Sequence, residues 1–145
     1  MANSFMLEIV TPEKLFFLGK AELVIVKTLT GDEGFLAGHS WACKLLGTGE
    51  LCFREAGAKE YRLAAISGGF IDVRDQILIF TDSAEWPEEI DLERANEASR
   101  REQEWLEQHK RPGENTVEEI EEHKQAAKRA VNRQKIAAGG VRQRH

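Results

Sequence analysis

The sequence predicts a two-part molecule: an all-β sandwich N-terminal domain over residues 1–86, followed by a C-terminal two-helix antiparallel hairpin over 87–145. Three observations carry this reading. Seven short runs rich in β-branched or aromatic residues fill the first part, punctuated by Gly, Pro and Asp. Of the 45 charged residues (20 basic, 25 acidic), 25 lie between Glu88 and His145, whereas ten of the eleven aromatic residues precede Glu88. The second part is rich in helix formers and is broken once, at Pro112-Gly113.

The predicted strands are Phe5 to Val10, Leu15 to Leu18, Leu23 to Thr28, Glu50 to Phe53, Tyr61 to Ile66, Phe70 to Val73 and Ile77 to Thr81. No helical stretch of 10 to 15 residues separates them, so a parallel crossover sheet is excluded and a sandwich or flattened barrel is expected. A head of roughly 85 residues can bury about 60–65% of its unfolded-chain surface, enough to fold alone.

Between the third and fourth runs lies Gly31-Asp32-Glu33-Gly34-Phe35-Leu36-Ala37-Gly38-His39. It reads as a tight turn with an acidic tip: either a plain connection, or a contact loop whose Phe35-Leu36 pair docks a partner. Gly38-His39-Ser40-Trp41-Ala42 comes close to a nucleophile elbow, but the last glycine and the strand-turn-helix setting are missing. Gly47-x-Gly49 lacks the third glycine and the helix of a phosphate loop and reads as a turn. Ser67-Gly68-Gly69-Phe70 marks a close backbone approach or a kinked strand.

The first helix is expected from about Pro87 to Lys110, with Pro87 in its first turn and Glu88, Glu89 and Asp91 at the positive end of its dipole. Asn115 or Thr116 can cap a second helix reaching about Ala138, before Gly139-Gly140. That helix opens with Glu118, Glu119, Glu121 and Glu122 and closes with Lys124, Lys128, Arg129, Arg133 and Lys135, a polarity that matches its dipole.

The seam between the helices, Ala95 and Ala98 against Val117, Ile120, Ala127 and Val131, is thin. At about 25 cal/mol per Å2 it supplies little burial energy, so the tail is either a switch or a flexible appendage. Arg129 and Arg133 stand one turn apart, a like-charge spacing that costs roughly 0.2–0.5 kcal/mol without a compensating anion. Folding about Pro112-Gly113 sets Arg133 near Arg94, and Arg129 toward Glu97 and Arg101. Such guanidinium forks suit phosphate oxygens, unless Glu93 and Glu97 neutralise them.

Bulk properties exclude several classes. A net charge of −5 gives no electrostatic footprint for nucleic acid, and Arg142 and Arg144 are too few to make one. Cys43 and Cys52 form no C-x-x-C and have no His cluster beside them, so buried free thiols are expected rather than a metal or redox site. The longest apolar runs, Leu15 to Leu18 and Leu23 to Val26, are far too short to span a membrane, and the first residues do not read as a signal peptide. A cytosolic or peripheral protein is expected. No nucleophile or acid–base pair stands out, so no catalysis is expected of this chain.

Taken together, Gly38-His39 closing the glycine-rich loop, Ser67-Gly68-Gly69-Phe70-Ile71-Asp72-Val73, Thr81-Asp82-Ser83-Ala84-Glu85 and Ile90-Asp91-Leu92-Glu93-Arg94-Ala95 resemble, in order and spacing, the epsilon subunit of the F-type ATP synthase. The resemblance covers nearly the whole chain. It implies a non-catalytic rotor subunit whose head binds the gamma subunit and rests on the c-subunit ring, with Gly31, Asp32, Glu33, Gly34 and His39 as partner contacts. Here Ala37 and Trp41 stand where the family often has proline.

The resemblance further implies a tail that either folds on the head or extends into the alpha/beta headpiece and blocks ATP hydrolysis. Some bacterial members bind ATP in the folded tail as a regulatory ligand. By resemblance that site takes Glu85, Ile90, Asp91, Arg94, Ala95, Arg101, Arg129 and Arg133, the last two within Lys128-Arg129-Ala130-Val131-Asn132-Arg133. The turn from His109 to Asn115 is longer than in those relatives. No cofactor is required and no metal site is implied. The implied location is the cytoplasmic face of the cell membrane, with membrane contact only through the complex. The alternatives are a stand-alone ATP sensor, which would bind nucleotide but not gamma, and a plain sandwich adaptor, which would do neither.

Overall fold

The computed structural model describes residues 3–111, 113 and 115–139. Pro112, Gly140, Arg142 and Arg144, used in the reading above, lie outside them. Nine strands form one hydrogen-bonded network: β1 Phe5–Val10, β2 Leu15–Thr28, β3 Gly31–Leu36, β4 Ala42–Leu45, β5 Gly49–Glu55, β6 Arg62–Ser67, β7 Phe70–Val73, β8 Ile77–Phe80 and β9 Ser83–Glu85. A single 3-10 turn, Pro87–Glu89, leads into helices α1 Leu92–Gln108 and α2 Val117–Ala137.

The strand order is β4-β7-β8-β1-β2-β5-β6-β9, with β3 also on β2. β1 and β8 run parallel and the other pairs antiparallel. The 14-residue β2 joins the two layers. Its first half pairs with β1 and its second half with β3, while β5 takes its other edge from Ala21 to Ile25. Side chains from both layers meet in one core, with Leu7, Ile9, Val24, Phe53, Ile71 and Ile79 at 0% exposure. This is the expected β-sandwich head followed by two helices.

Three details of the sequence reading are corrected. The runs Leu15 to Leu18 and Leu23 to Thr28 are one strand, because Gly19 does not interrupt it: the space a side chain would need there is filled by the Phe17 ring. The segment from Gly31 is not a turn but strand β3, zipped from Thr28↔Gly31 to Leu23↔Leu36; the turn is Leu29-Thr30. Phe35 consequently points into the core at 0% exposure and cannot dock a partner, although Leu36 beside it is exposed. Strand β4 fell between the predicted runs and β9 beyond the last of them.

Gly69 shows why the Ser67-Gly68-Gly69 and Thr81 to Glu85 motifs belong together. Its φ is 104°, and a Cβ there would lie 1.9 Å from the Phe80 carbonyl oxygen, so only glycine fits. Beside it the fully buried Thr81 hydroxyl donates to the Ser67 carbonyl and accepts from the Ser67 N–H. The crossing point of β6 to β9 is thereby fixed, and Glu85 is set at its edge.

Candidate functional site

The helices come together on the β5, β6 and β9 side of the head. Pro87 opens only the 3-10 turn, whose Glu89 carboxylate accepts from the Trp86 backbone N–H. Asp91, not Pro87, starts α1: its carboxylate accepts the N–H of Arg94 at 3.2 Å, the N-cap role of a short acidic side chain. Thr116 caps α2 in the same way, accepting from Glu119 N–H at 3.0 Å.

What docks the hairpin is a small apolar plug. Ile136, 1% exposed, packs with Ile90, Ala95 and Ala65 of β6. The two alanines let the helices approach the strand closely, and Ile136 supplies most of the apolar area, about 2–3 kcal/mol when fully buried. The seam differs from the expected one. Val117 is 83% exposed, whereas Ala130 and Ser99 are buried, because α2 turns its Ala130 and Ile136 face, rather than its Val117 edge, toward its neighbours. Polar ties complete the docking: Asn132 Nδ2 donates to the Gly49 carbonyl at 2.9 Å, and Gln134 donates to Asn96 of α1 at 2.7 Å.

Between this hairpin and the strands lies a cavity of about 390 Å3. Glu85, Arg101, Arg129 and Arg133 line it, with Glu102 and Asn132. Arg133 binds Glu85 with both nitrogens of its fork: Nη2 donates to Oε2 at 3.0 Å, and Nε stands 2.8 Å from Oε1 in ion-pair contact. The Nε–H is buried and is not directed along that line, so it makes no hydrogen bond. Among the described residues neither Arg101 nor Arg129 has an ion-pair partner. Glu102 is engaged by His123. The cavity therefore presents two uncommitted guanidinium groups and a third held by a carboxylate, a set suited to an anion with several oxygens.

Of the eight residues assigned to the ligand site, four line this cavity. Ile90 and Ala95 lie beneath it in the apolar plug, and Asp91 is used as a helix cap. Arg94 is exposed and does not line the cavity. The helices run antiparallel as expected, with Gln134 facing Asn96 and His123 facing Glu102. The faces differ: Arg133 turns to the strand and finds Glu85 rather than Arg94, Glu93 or Glu97. Asn132 and Glu102 were not singled out. Asn132 stands inside the quoted Lys128 to Arg133 stretch, and its amide could have been read as a backbone anchor.

On the head, Asp32 and Gly34 are exposed on β3, Gly31 begins it, and Glu33 accepts from Lys44 at 2.7 Å. His39 packs edge-on against Phe35 at 4.7 Å, and its Nδ1 contacts the Ser40 carbonyl at 2.7 Å. The same stretch exposes Leu29, Leu36, Trp41 and Leu45, each by more than half. Cys43 is exposed on β4, against the expectation of a buried thiol, because alternate residues of this strand face outward; Cys52 is buried as expected. Among the described residues no cluster that could hold a metal ion occurs, and no helix is long and apolar enough to cross a membrane.

Comparison with known proteins converges on one family. Residues 4–87 match the family described as the beta-sandwich domain of the ATP synthase delta/epsilon chain. The chain is 38% identical over 130 residues to the ATP synthase epsilon chain of Caldicellulosiruptor saccharolyticus, covering 89% of this chain and 90% of that one. It is 40% identical over 140 residues to that of Caldanaerobacter subterraneus subsp. tengcongensis, covering 95% and 96%. In fold it resembles a chain in the Euglena gracilis mitochondrial ATP synthase (TM-score 0.72, 23% identity, 86% of this chain and 76% of that one). It also resembles a chain in the central stalk and c-ring of the Tetrahymena thermophila mitochondrial ATP synthase (TM-score 0.66, 14% identity, 93% and 97%).

Proposed function

Given that this chain belongs to the epsilon-chain family of the ATP synthases, we propose that it is a non-catalytic central-stalk subunit. In this reading its head joins gamma to the c-ring, and its tail restrains ATP hydrolysis by entering the alpha/beta headpiece. The observation that carries this reading is the extent of the match: relatives with that name align over head and tail alike, up to 95% of this chain. The complex works at the cytoplasmic face of the cell membrane, and this subunit meets the membrane only through its partners. The exposed Leu29, Leu36, Trp41 and Leu45 lie within one segment of the head, and exposed large apolar side chains on it support protein contact there. Asp32 and His39 belong to the same segment.

The folded tail is a regulatory site for ATP. Arg101 and Arg129 offer free guanidinium forks to phosphate oxygens, Arg133 exchanges Glu85 for the ligand, and a cavity of about 390 Å3 falls in the range of about 300–1,000 Å3 usual for ligand pockets. Asp91 and Ala95 support the site from below by fixing the start and the packing of α1. Calorimetric titration of ATP into the full chain, with and without magnesium, tests this. Saturable binding that Arg129→Ala weakens at least tenfold supports the site, and unchanged affinity in Arg129→Ala and Arg133→Ala rejects it. Arg94→Ala separates two geometries: a full effect places the ligand across the start of α1, and none confines it to the cavity.

A further inference from the structure

The cavity between the hairpin and the strands has two unlike walls. Its guanidinium groups all stand on the hairpin wall, Arg101 on α1 and Arg129 and Arg133 on α2. The strand wall carries Thr48, Ser67, Ser83 and Glu85 with Ala65 and Ile66, and among the described residues no basic side chain. Thr48 precedes β5 and Ser67 ends β6, so the sheet brings their hydroxyls together. Oγ1 of Thr48 and Oγ of Ser67 share a hydrogen bond at 3.4 Å, and both residues are half-buried. Whichever of them donates, the pair keeps one O–H and several lone pairs for a third group.

This pair is set on fixed backbone. The Ser67 N–H donates to the Thr81 hydroxyl at 3.3 Å, and the Ser67 carbonyl accepts from that hydroxyl at 3.2 Å. Thr81 itself is fully buried. One residue on, the Gly68 N–H donates to the Gly47 carbonyl at 3.4 Å, which ties the backbone before Thr48 to the same crossing. The two hydroxyls therefore keep their place through contacts of the head alone, whereas the arginines come from helices held by a small plug.

We infer that Thr48 and Ser67 are the sugar-reading part of the nucleotide site. A bound nucleoside triphosphate lays its phosphates on the arginine wall and turns its ribose to the strand wall, where the two hydroxyls bond the 2′- or 3′-hydroxyl. This rests on the reading of the folded tail as a regulatory site for ATP. The reason is the layout of charge. Phosphate oxygens bind guanidinium forks more strongly than they bind neutral hydroxyls. Once Arg133 has turned to the ligand, the Glu85 carboxylate left on the strand wall repels an anion. A ribose hydroxyl is uncharged and both donates and accepts, as Thr48 and Ser67 do, so the sugar is the end of the ligand that fits there.

Calorimetric titration of the full chain with ATP and with 2′,3′-dideoxy-ATP tests this. The unmodified chain should bind the dideoxy compound about five- to thirtyfold more weakly, because a site built around a hydroxyl penalises the analogue that lacks it. In the Thr48→Val, Ser67→Ala double variant the two ligands should bind within about twofold of each other, ATP having fallen to the dideoxy level, while Thr48→Ser keeps the preference. Equal binding of both ligands by the unmodified chain, or a preference that persists in the double variant, overturns the sugar-reading role and leaves the ATP site standing. A double variant that loses both ligands also overturns it, since the pair would then shape the cavity rather than read the sugar. If the unmodified chain binds neither ligand, the ATP reading fails and this role with it.

Discussion

Two residues show how position decides what a side chain does. Gly69 sits where a Cβ would meet the Phe80 carbonyl oxygen at 1.9 Å, so Gly69→Ala forces the backbone apart at a positive φ. It should destabilise the head by more than about 3 kcal/mol or prevent folding, measured by chemical denaturation followed by far-ultraviolet circular dichroism. Arg133 is half-buried, and its side chain and that of Glu85 are each 31% exposed. Such a pair contributes modestly, so Glu85→Gln should loosen hairpin docking by no more than about 1 kcal/mol. The same change frees Arg133 for a ligand. Of the four arginines the sequence reading brought together, Arg101, Arg129 and Arg133 line the cavity and Arg94 does not. The sequence could not name their partners, because which face a helix turns inward depends on what it packs against, and Ile136 was not part of the expected seam.

At the scale of elements, local signals were reliable where they act locally. Thr116 and Asp91 cap their helices through their own side chains, which a sequence displays directly. β3 was illegible for the opposite reason: glycines and acidic residues have low strand propensity, and the strand exists because β2 offers it a paired edge and Phe35 fills the core. The hairpin rests on a plug of few residues, and that makes it separable from the head. Truncating Ile136 to alanine should cost about 2–4 kcal/mol of docking. Helix amides should then exchange rapidly while the strands keep their protection. If strands and helices lost protection together, the two parts would be one cooperative unit and the plug would not be the docking contact.

At the scale of the molecule, the head has a core to which the helices contribute nothing, since that cluster ends at Ala84 with Trp86 packed against it. The sequence displayed this division through its aromatic and charge distribution, and the β-sandwich with two helices behind it followed. Its partners are proposed only through resemblance, because an assembly surface is recognised by what covers it. In the proposed function the head holds the subunit in place while the tail restrains hydrolysis. The direct measurement is ATP hydrolysis by an alpha/beta/gamma headpiece inhibited with the full chain, then titrated with a chain ending at Glu88. The shortened chain should displace the full one and restore hydrolysis without inhibiting by itself. Persistent inhibition at saturating competitor, or inhibition by the shortened chain alone, would contradict it.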